Sequence, residues 1–159
     1  MQDHANTAFS AHDHAGCTGD VLAQAAVLVA EGGLRLTPVR RRVLEILLEA
    51  HRALGAYDVL NRLAAEGFGN QPPVVYRALD FLVEHGLAHR IQRLNAFTAC
   101  MHPGLDHAPV FLICRACHGV AEADGDGVGT ALLAAAGDFA VERSTIEALG
   151  LCPACQAAA

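Results

Sequence analysis

Two CxxC pairs, Cys114/Cys117 and Cys152/Cys155, constrain this chain more than any other feature. Together they offer four thiolates, enough to fill a tetrahedral zinc shell and leave no open position. Residues 118–151 separate them, 34 in all, too many for a compact zinc ribbon. An ion held by all four cysteines would staple the two ends of a small folded unit. A closed shell serves structure, so the function must be sought in what the staple holds. A thioredoxin-like redox reading of the second pair needs a helix after it, and none is expected there.

The 159 residues suffice for one ordinary domain or two small ones. A hydrophobic content of 53% with 18% charged residues describes a globular chain. No apolar run approaches the roughly 20 residues that span a bilayer, and the start lacks the basic and apolar stretches of a signal peptide. A cytoplasmic protein with no membrane partner is expected, and in that compartment CxxC pairs serve metals more often than disulfides. The net charge of −6 argues against nucleic acid until its distribution is considered. Residues 35–93 hold nine of the eleven arginines against six acids, net +3, while both flanks are acidic. Such a chain can present a local phosphate-binding face. A solvated helix face explains each arginine singly, but it does not explain their concentration.

Residues 1–19, with His4, His12, His14 and Cys17, form a polar tail expected to lack structure. Asp20–Glu31 is expected to be a helix ended by Gly32 and Gly33. Thr37-Pro38 starts another, with a hydroxyl at the N-cap and proline in the first turn. Val39, Val43, Ile46, Leu47 and Ala50 follow at helical spacing. A third helix runs from Tyr57 to Glu66, with Val59, Leu60 and Leu63 inward. A fourth runs from about Pro73 to His85, with Val75, Leu79, Leu82 and Val83 inward and Val74, Tyr76 and Arg77 outward. Leu87–Gln92 and Ala96–Cys100 read as two strands of a hairpin.

Helices followed by a hairpin make a winged helix-turn-helix, so residues 20–102 are assigned as a DNA-binding domain. Arg77 is placed to read guanine, Tyr76 to touch a thymine methyl or a phosphate, and Arg40 opens the second helix among the arginines. Residues 103–159 change character. Val110–Cys114 and Gly119–Ala123 read as strands, Val128–Ala136 as a helix and Phe139–Leu149 as a third strand. The fold class is therefore α+β, a winged-helix domain followed by a small α/β domain with a structural zinc.

His89, Cys100, His102, His107 and Glu122 remain as ligands outside the four-thiolate set. His89 and Cys100 lie on the two wing strands, His107 in the connection leaving the wing, and Glu122 on the strand after the first CxxC. An imidazole, thiolate and carboxylate shell suits zinc and disfavours manganese. His102 is the runner-up to His107. A catalytic zinc would need an open water position and an independent base. Four ligands are available and no such base or substrate pocket is evident, so no enzyme is expected.

Residues 20–156 resemble the ferric uptake regulator family, and within it the zinc-sensing branch. The segments that carry the resemblance are Arg35-Leu-Thr-Pro-Val-Arg40, Ala56-Tyr-Asp-Val-Leu60, Pro72-Pro-Val-Val-Tyr-Arg-Ala-Leu-Asp-Phe-Leu82, the first CxxC with its following strand, and Ile146-Glu-Ala-Leu-Gly-Leu-Cys-Pro-Ala-Cys155. The resemblance implies a homodimer, paired through residues 103–159, that binds a palindromic operator as a zinc-responsive repressor of zinc-uptake genes. It implies two Zn²⁺ per chain: a structural ion at Cys114, Cys117, Cys152 and Cys155, and a regulatory ion at His89, Cys100, His107 and Glu122. Tyr57 and Arg77 fall where that branch contacts DNA. Iron-sensing relatives carry a denser histidine run before the first CxxC than His102-Pro-Gly-Leu-Asp-His107 provides, which turns the reading away from an iron, manganese or peroxide sensor. The tail, residues 1–19, has no counterpart.

Overall fold

A computed structural model of the chain describes residue 9 and residues 14–50, 52–105 and 107–159, with side chains in the first helix described from residue 18 onward. These residues fall into two compact units, one within Asp13–Leu105 and the other comprising residue 9 together with residues 107–159. No helix among the described residues is long and apolar enough to cross a membrane.

The first unit contains α1 (His14–Glu31), α2 (Pro38–Glu49), α3 (Ala56–Ala65), α4 (Pro72–Glu84), β1 (Ala88–Ile91) and β2 (Ala96–Ala99). Helix α1 starts six residues before the expected Asp20. Gly16 and Gly19 weaken that stretch by about 1 kcal/mol each, but no proline interrupts it. Val21, Ala25 and Val29, four residues apart, then pin the following turns into the core. His4 and His12 lie outside the described residues, as do the side chains of His14 and Cys17.

Helix α2 begins as its sequence dictates. The Thr37 hydroxyl accepts from the Arg40 N–H at 3.4 Å, and Pro38 occupies the first turn. Val43, Leu44, Ile46, Leu47 and Leu48 are buried, a wider face than the expected stripe because α1, α3 and α4 all pack around it. Helix α3 is capped by Asp58, whose carboxylate accepts from the Gly55 N–H at 3.2 Å. Helix α4 opens on Pro72 and buries Val75, Ala78, Leu79, Phe81 and Leu82. Three residues beyond it, β1 and β2 pair antiparallel from Ala88–Ala99 to Ile91–Ala96. Leu54 adds an isolated antiparallel bridge to Phe97, with mutual backbone hydrogen bonds of 2.8 and 2.9 Å.

The second unit contains β3 (Pro109–Cys114), β4 (Val120–Asp124), α5 (Asp126–Ala136), β5 (Ile146–Gly150) and the short α6 (Pro153–Ala157). Strand β3 is central, antiparallel to β4 and parallel to β5. The expected third strand, Phe139–Leu149, is cut down to Ile146–Gly150. The register explains this: Val110 opposes Ile146, and β3 reaches only one residue further back, to a proline that has no N–H to give, so residues 139–144 have no neighbour on β3 to pair with. Gly125 turns the chain from β4 into α5, and a Cβ there would collide with the Ala108 carbonyl. Contrary to expectation a helix does accompany the second CxxC, with Cys152 at its N-cap and Pro153 in its first turn.

Candidate metal centres and nucleic-acid interface

The sheet register builds the first metal centre. Cys114 ends β3 opposite Gly150 of β5, which carries Cys152 two residues further on, and a turn after β3 returns Cys117. The sulfur atoms of Cys114, Cys117, Cys152 and Cys155 all lie within 4.8 Å of one another. The Cys117 and Cys152 sulfurs are 3.8 Å apart, far beyond a disulfide. A zinc–sulfur bond of about 2.3 Å gives a tetrahedron with an edge of about 3.8 Å, so the spacing fits zinc.

The thiols fit it electrostatically as well. Backbone N–H groups of Cys117 and Cys152 aimed at Cys114 bring its pKa down to about 6. At Cys117 the Gly119 N–H acts in the same direction, but Cys114, burial and Cys152 outweigh it and leave the pKa raised. Contact with Cys152 and Cys114 pushes Cys155 up to about 12. One thiolate is favoured and its neighbours resist ionising beside it. A dication removes that conflict, because it needs all four sulfurs deprotonated.

The second candidate set is built in two halves, one in each unit. In the wing, His89 opposes Thr98 while Cys100 follows β2 and donates its N–H to the Leu87 carbonyl at 3.0 Å. Directly opposed residues share a face and alternate residues return to it, so His89 and Cys100 are diagonal neighbours on one side of the hairpin. Their ligand atoms lie within 4.8 Å of each other, and Cys100 is fully buried. In the sheet unit, Glu122 sits on β4 opposite Phe111, and the His107 Nε2 lies 2.7 Å from its Oε1. The Glu122 side chain is only 8% exposed. Carboxylates are seldom buried without a cationic or hydrogen-bonding partner, and the imidazole is that partner here. His102 is exposed.

The candidate nucleic-acid surface lies on the first unit. Tyr57, in the first turn of α3, is 64% exposed, and Tyr76 on α4 is 43% exposed. A shallow apolar notch joins them, lined by Ala56, Leu60, Pro72 and Val75. Arg77 is also exposed. Tyr57 lies at the end of α3 that carries unpaired backbone N–H groups and partial positive charge, while Tyr76 and Arg77 lie in the second turn of α4.

The other arginines are more committed than their count implied. Arg40 is half-buried, with its guanidinium carbon 3.6 Å from the centre of the Phe81 ring and Nη1 donating to the Arg35 carbonyl at 2.9 Å. Arg41 pairs with Glu45 at 3.0 Å. Arg42 reaches Glu45, Glu49 and Glu66, and the Glu66 and Glu49 carboxylates hold its pKa above the ordinary value. Glu45 and Glu49 lie one and two turns along the same helix, a spacing the sequence displays. Glu66 is the C-cap residue of α3, and no local pattern signals the pairing.

A family model described as "Ferric uptake regulator family" matches residues 31–147. The zinc uptake regulation protein of Escherichia coli K12 is 39% identical over 141 residues, covering 87% of this chain and 82% of that protein. A solved zinc uptake regulator in complex with zinc and DNA superposes with a TM-score of 0.84 at 37% identity, covering 89% of this chain and 96% of the other. The holo form of XcZur superposes with a TM-score of 0.77 at 37% identity, covering 88% and 99% respectively.

Proposed function

The chain belongs to the ferric uptake regulator family, and on that premise we propose that it is a zinc-responsive repressor of zinc-uptake genes. It acts in the cytoplasm as a zinc-loaded homodimer on a palindromic operator and has no catalytic role. The observation that carries the reading is a winged helix with an exposed Tyr57–Tyr76–Arg77 end, in a chain similar to a regulator solved with zinc and DNA.

Each chain takes two zinc ions. Cys114, Cys117, Cys152 and Cys155 hold the structural ion that closes the sheet unit. His89 and Cys100 from the wing and His107 and Glu122 from the sheet unit hold the regulatory one. The thiolate of Cys100 favours zinc over manganese or iron at this second set. Zinc, when bound there, would supply bonds to ligands from both units of one chain. The remaining work belongs to the protein. The wing, once tied through His89 and Cys100, limits where α4 can point.

A palindromic operator demands two recognition helices at a fixed spacing, so limiting that freedom enriches the competent dimer. Moving such an equilibrium from 1:99 to 99:1 takes about 5.5 kcal/mol of differential zinc affinity. DNA must then tighten zinc binding by the same factor. On the operator, Arg77 reads guanine, while Tyr57 and Tyr76 make apolar and phosphate contacts around it. Arg40 braces α2 against α4 and turns its remaining N–H groups to phosphate. Dimerisation through the sheet unit is supported by exposed apolar groups on α5 and β5: Val128 at 46%, Leu133 at 60% and Leu149 at 50%.

The test pairs metal analysis with DNA binding. The purified chain should carry two zinc ions, and zinc should promote its binding to DNA at fixed salt. Cys100→Ser should lower zinc-dependent affinity at least a hundredfold, while one zinc per chain and the dimer mass in sedimentation persist. Undiminished zinc-dependent binding by Cys100→Ser would remove the regulatory assignment. Iron or manganese at the second set of the purified protein would move the chain to another branch of the family.

A further inference from the structure

Phe9 stands in the polar stretch before α1 and is the first Phe, Tyr or Trp of the chain, well ahead of Tyr57. It is partly buried and belongs to the sheet unit. The surface it meets is the turn that joins β3 to β4. There His118 donates its N–H to the Cys114 carbonyl at 3.0 Å, and Cys114 donates to the Gly119 carbonyl at 2.9 Å. The backbone closes this turn by itself, with His118 at a left-handed φ of 59°. Gly119 is buried and has no side chain to hold a neighbour away. A Cβ on Gly119 would lie 3.4 Å from Cε1 of Phe9 and 3.3 Å from the Cys117 sulfur, close on both sides. The bare glycine therefore lets the phenylalanine ring settle beside a proposed zinc ligand.

The four cysteines are unequally sheltered. Cys114 and Cys152 are buried, Cys155 is half-buried and Cys117 is exposed. A competing ligand can reach an ion in this cluster most readily from the Cys117 side. Gly119 directs its N–H to the Cys117 sulfur, and the Phe9 ring packs on that same glycine. The ring gains by leaving water, and lifting it is a local opening that leaves the sheet intact. Cys117 keeps exposed surface with the ring in place, so the ring narrows this approach without sealing it.

We propose that Phe9 is a latch on the four-cysteine cluster: seated on Gly119 beside Cys117, the ring slows the departure of the structural zinc. This rests on the reading of Cys114, Cys117, Cys152 and Cys155 as the site of that ion. The segment before α1 then governs how long zinc stays, while DNA recognition remains with the helical unit.

The experiment follows zinc transfer from the zinc-loaded full chain to a colorimetric chelator, reading the slower phase, which Cys100→Ser keeps. Phe9→Ala should speed that phase about five- to tenfold, the factor expected from partial burial of one ring. Phe9→Leu should recover most of the delay because it keeps apolar bulk. Iodoacetamide should label Cys117 faster in Phe9→Ala, as located by peptide mass spectrometry. Amide exchange in β3 and DNA affinity at saturating zinc should keep their wild-type values. An unchanged slow phase in Phe9→Ala overturns the latch and leaves the zinc reading intact. Faster exchange throughout β3 overturns it too, because Phe9 would then be a core residue of the sheet unit. A wild type that holds no zinc at the four cysteines removes both.

Discussion

In the helical unit every helix buries an apolar face, from Val21, Ala25 and Val29 on α1 to Val75, Leu79 and Leu82 on α4. In the sheet unit α5 buries none of its residues, and β5 is mostly exposed. Burial there is concentrated on β3, in Val110, Phe111, Ile113 and Cys114. Full burial of a large apolar side chain contributes about 1.5–3 kcal/mol, so the first unit can hold itself together by packing. The second cannot do so to the same degree. It gathers four cysteines instead, and it exposes leucines that a partner could cover. One unit is closed by its own packing, and the other shows a cluster of four sulfurs and exposed apolar surface in its place.

The largest effect should follow from breaking the staple. Cys152→Ser would remove one of the four proposed zinc ligands, two residues past the end of β5, and with it most of the roughly 10–16 kcal/mol that a structural zinc contributes in small modules. Amide exchange in β3 and β5 should accelerate sharply while α2 and α4 stay protected. Continued protection of β3 in a zinc-free variant would mean that packing alone sustains the sheet, and the contrast between the units would fall.

Leu79→Ala probes the other side. Leu79 has no exposed surface, and deleting its branch should cost about 2–5 kcal/mol through lost burial and a cavity between α4 and its neighbours. The loss should appear in α1–α4 exchange and in DNA affinity, with the zinc at the four cysteines retained. Loss of that zinc together with the helical unit would show that the two units unfold as one.

Much of this contrast was legible in the sequence because local spacing carries it. Val59, Leu60 and Leu63 marked a helix face, Thr37-Pro38 marked a helix start, and paired cysteines marked a cluster of four sulfurs wherever the strands ran. What escaped depends on neighbours distant in the chain. The Leu54–Phe97 bridge joins a loop to a hairpin more than forty residues later. The ion pair of Arg42 with Glu66 spans two helices, so a net charge of +3 overstated the cationic surface available to DNA. Residues 139–145 look strand-like by composition, but a strand forms only where β3 supplies partners. Asn95, with its positive φ, was flagged only as one residue of a turn, while the hydrogen bond it accepts from Arg90 needed coordinates.

The smallest effect sharpens the comparison at one helix end. Thr37→Ala removes the oxygen that accepts the Arg40 N–H and should cost the helical unit about 0.5–1 kcal/mol. That is the lower part of the usual range for a lost N-cap, because the hydrogen bond is long at 3.4 Å. Pro38 and the Arg40–Phe81 stack remain to hold the start of α2. Urea denaturation followed by exchange at α2 and α3 amides should register the loss, while zinc release, read by a colorimetric chelator, keeps the wild-type midpoint. Thr37→Ser should recover most of the stability because it keeps the hydroxyl. An equal loss in Thr37→Ser would shift the cause from the cap to the packing of the threonine methyl.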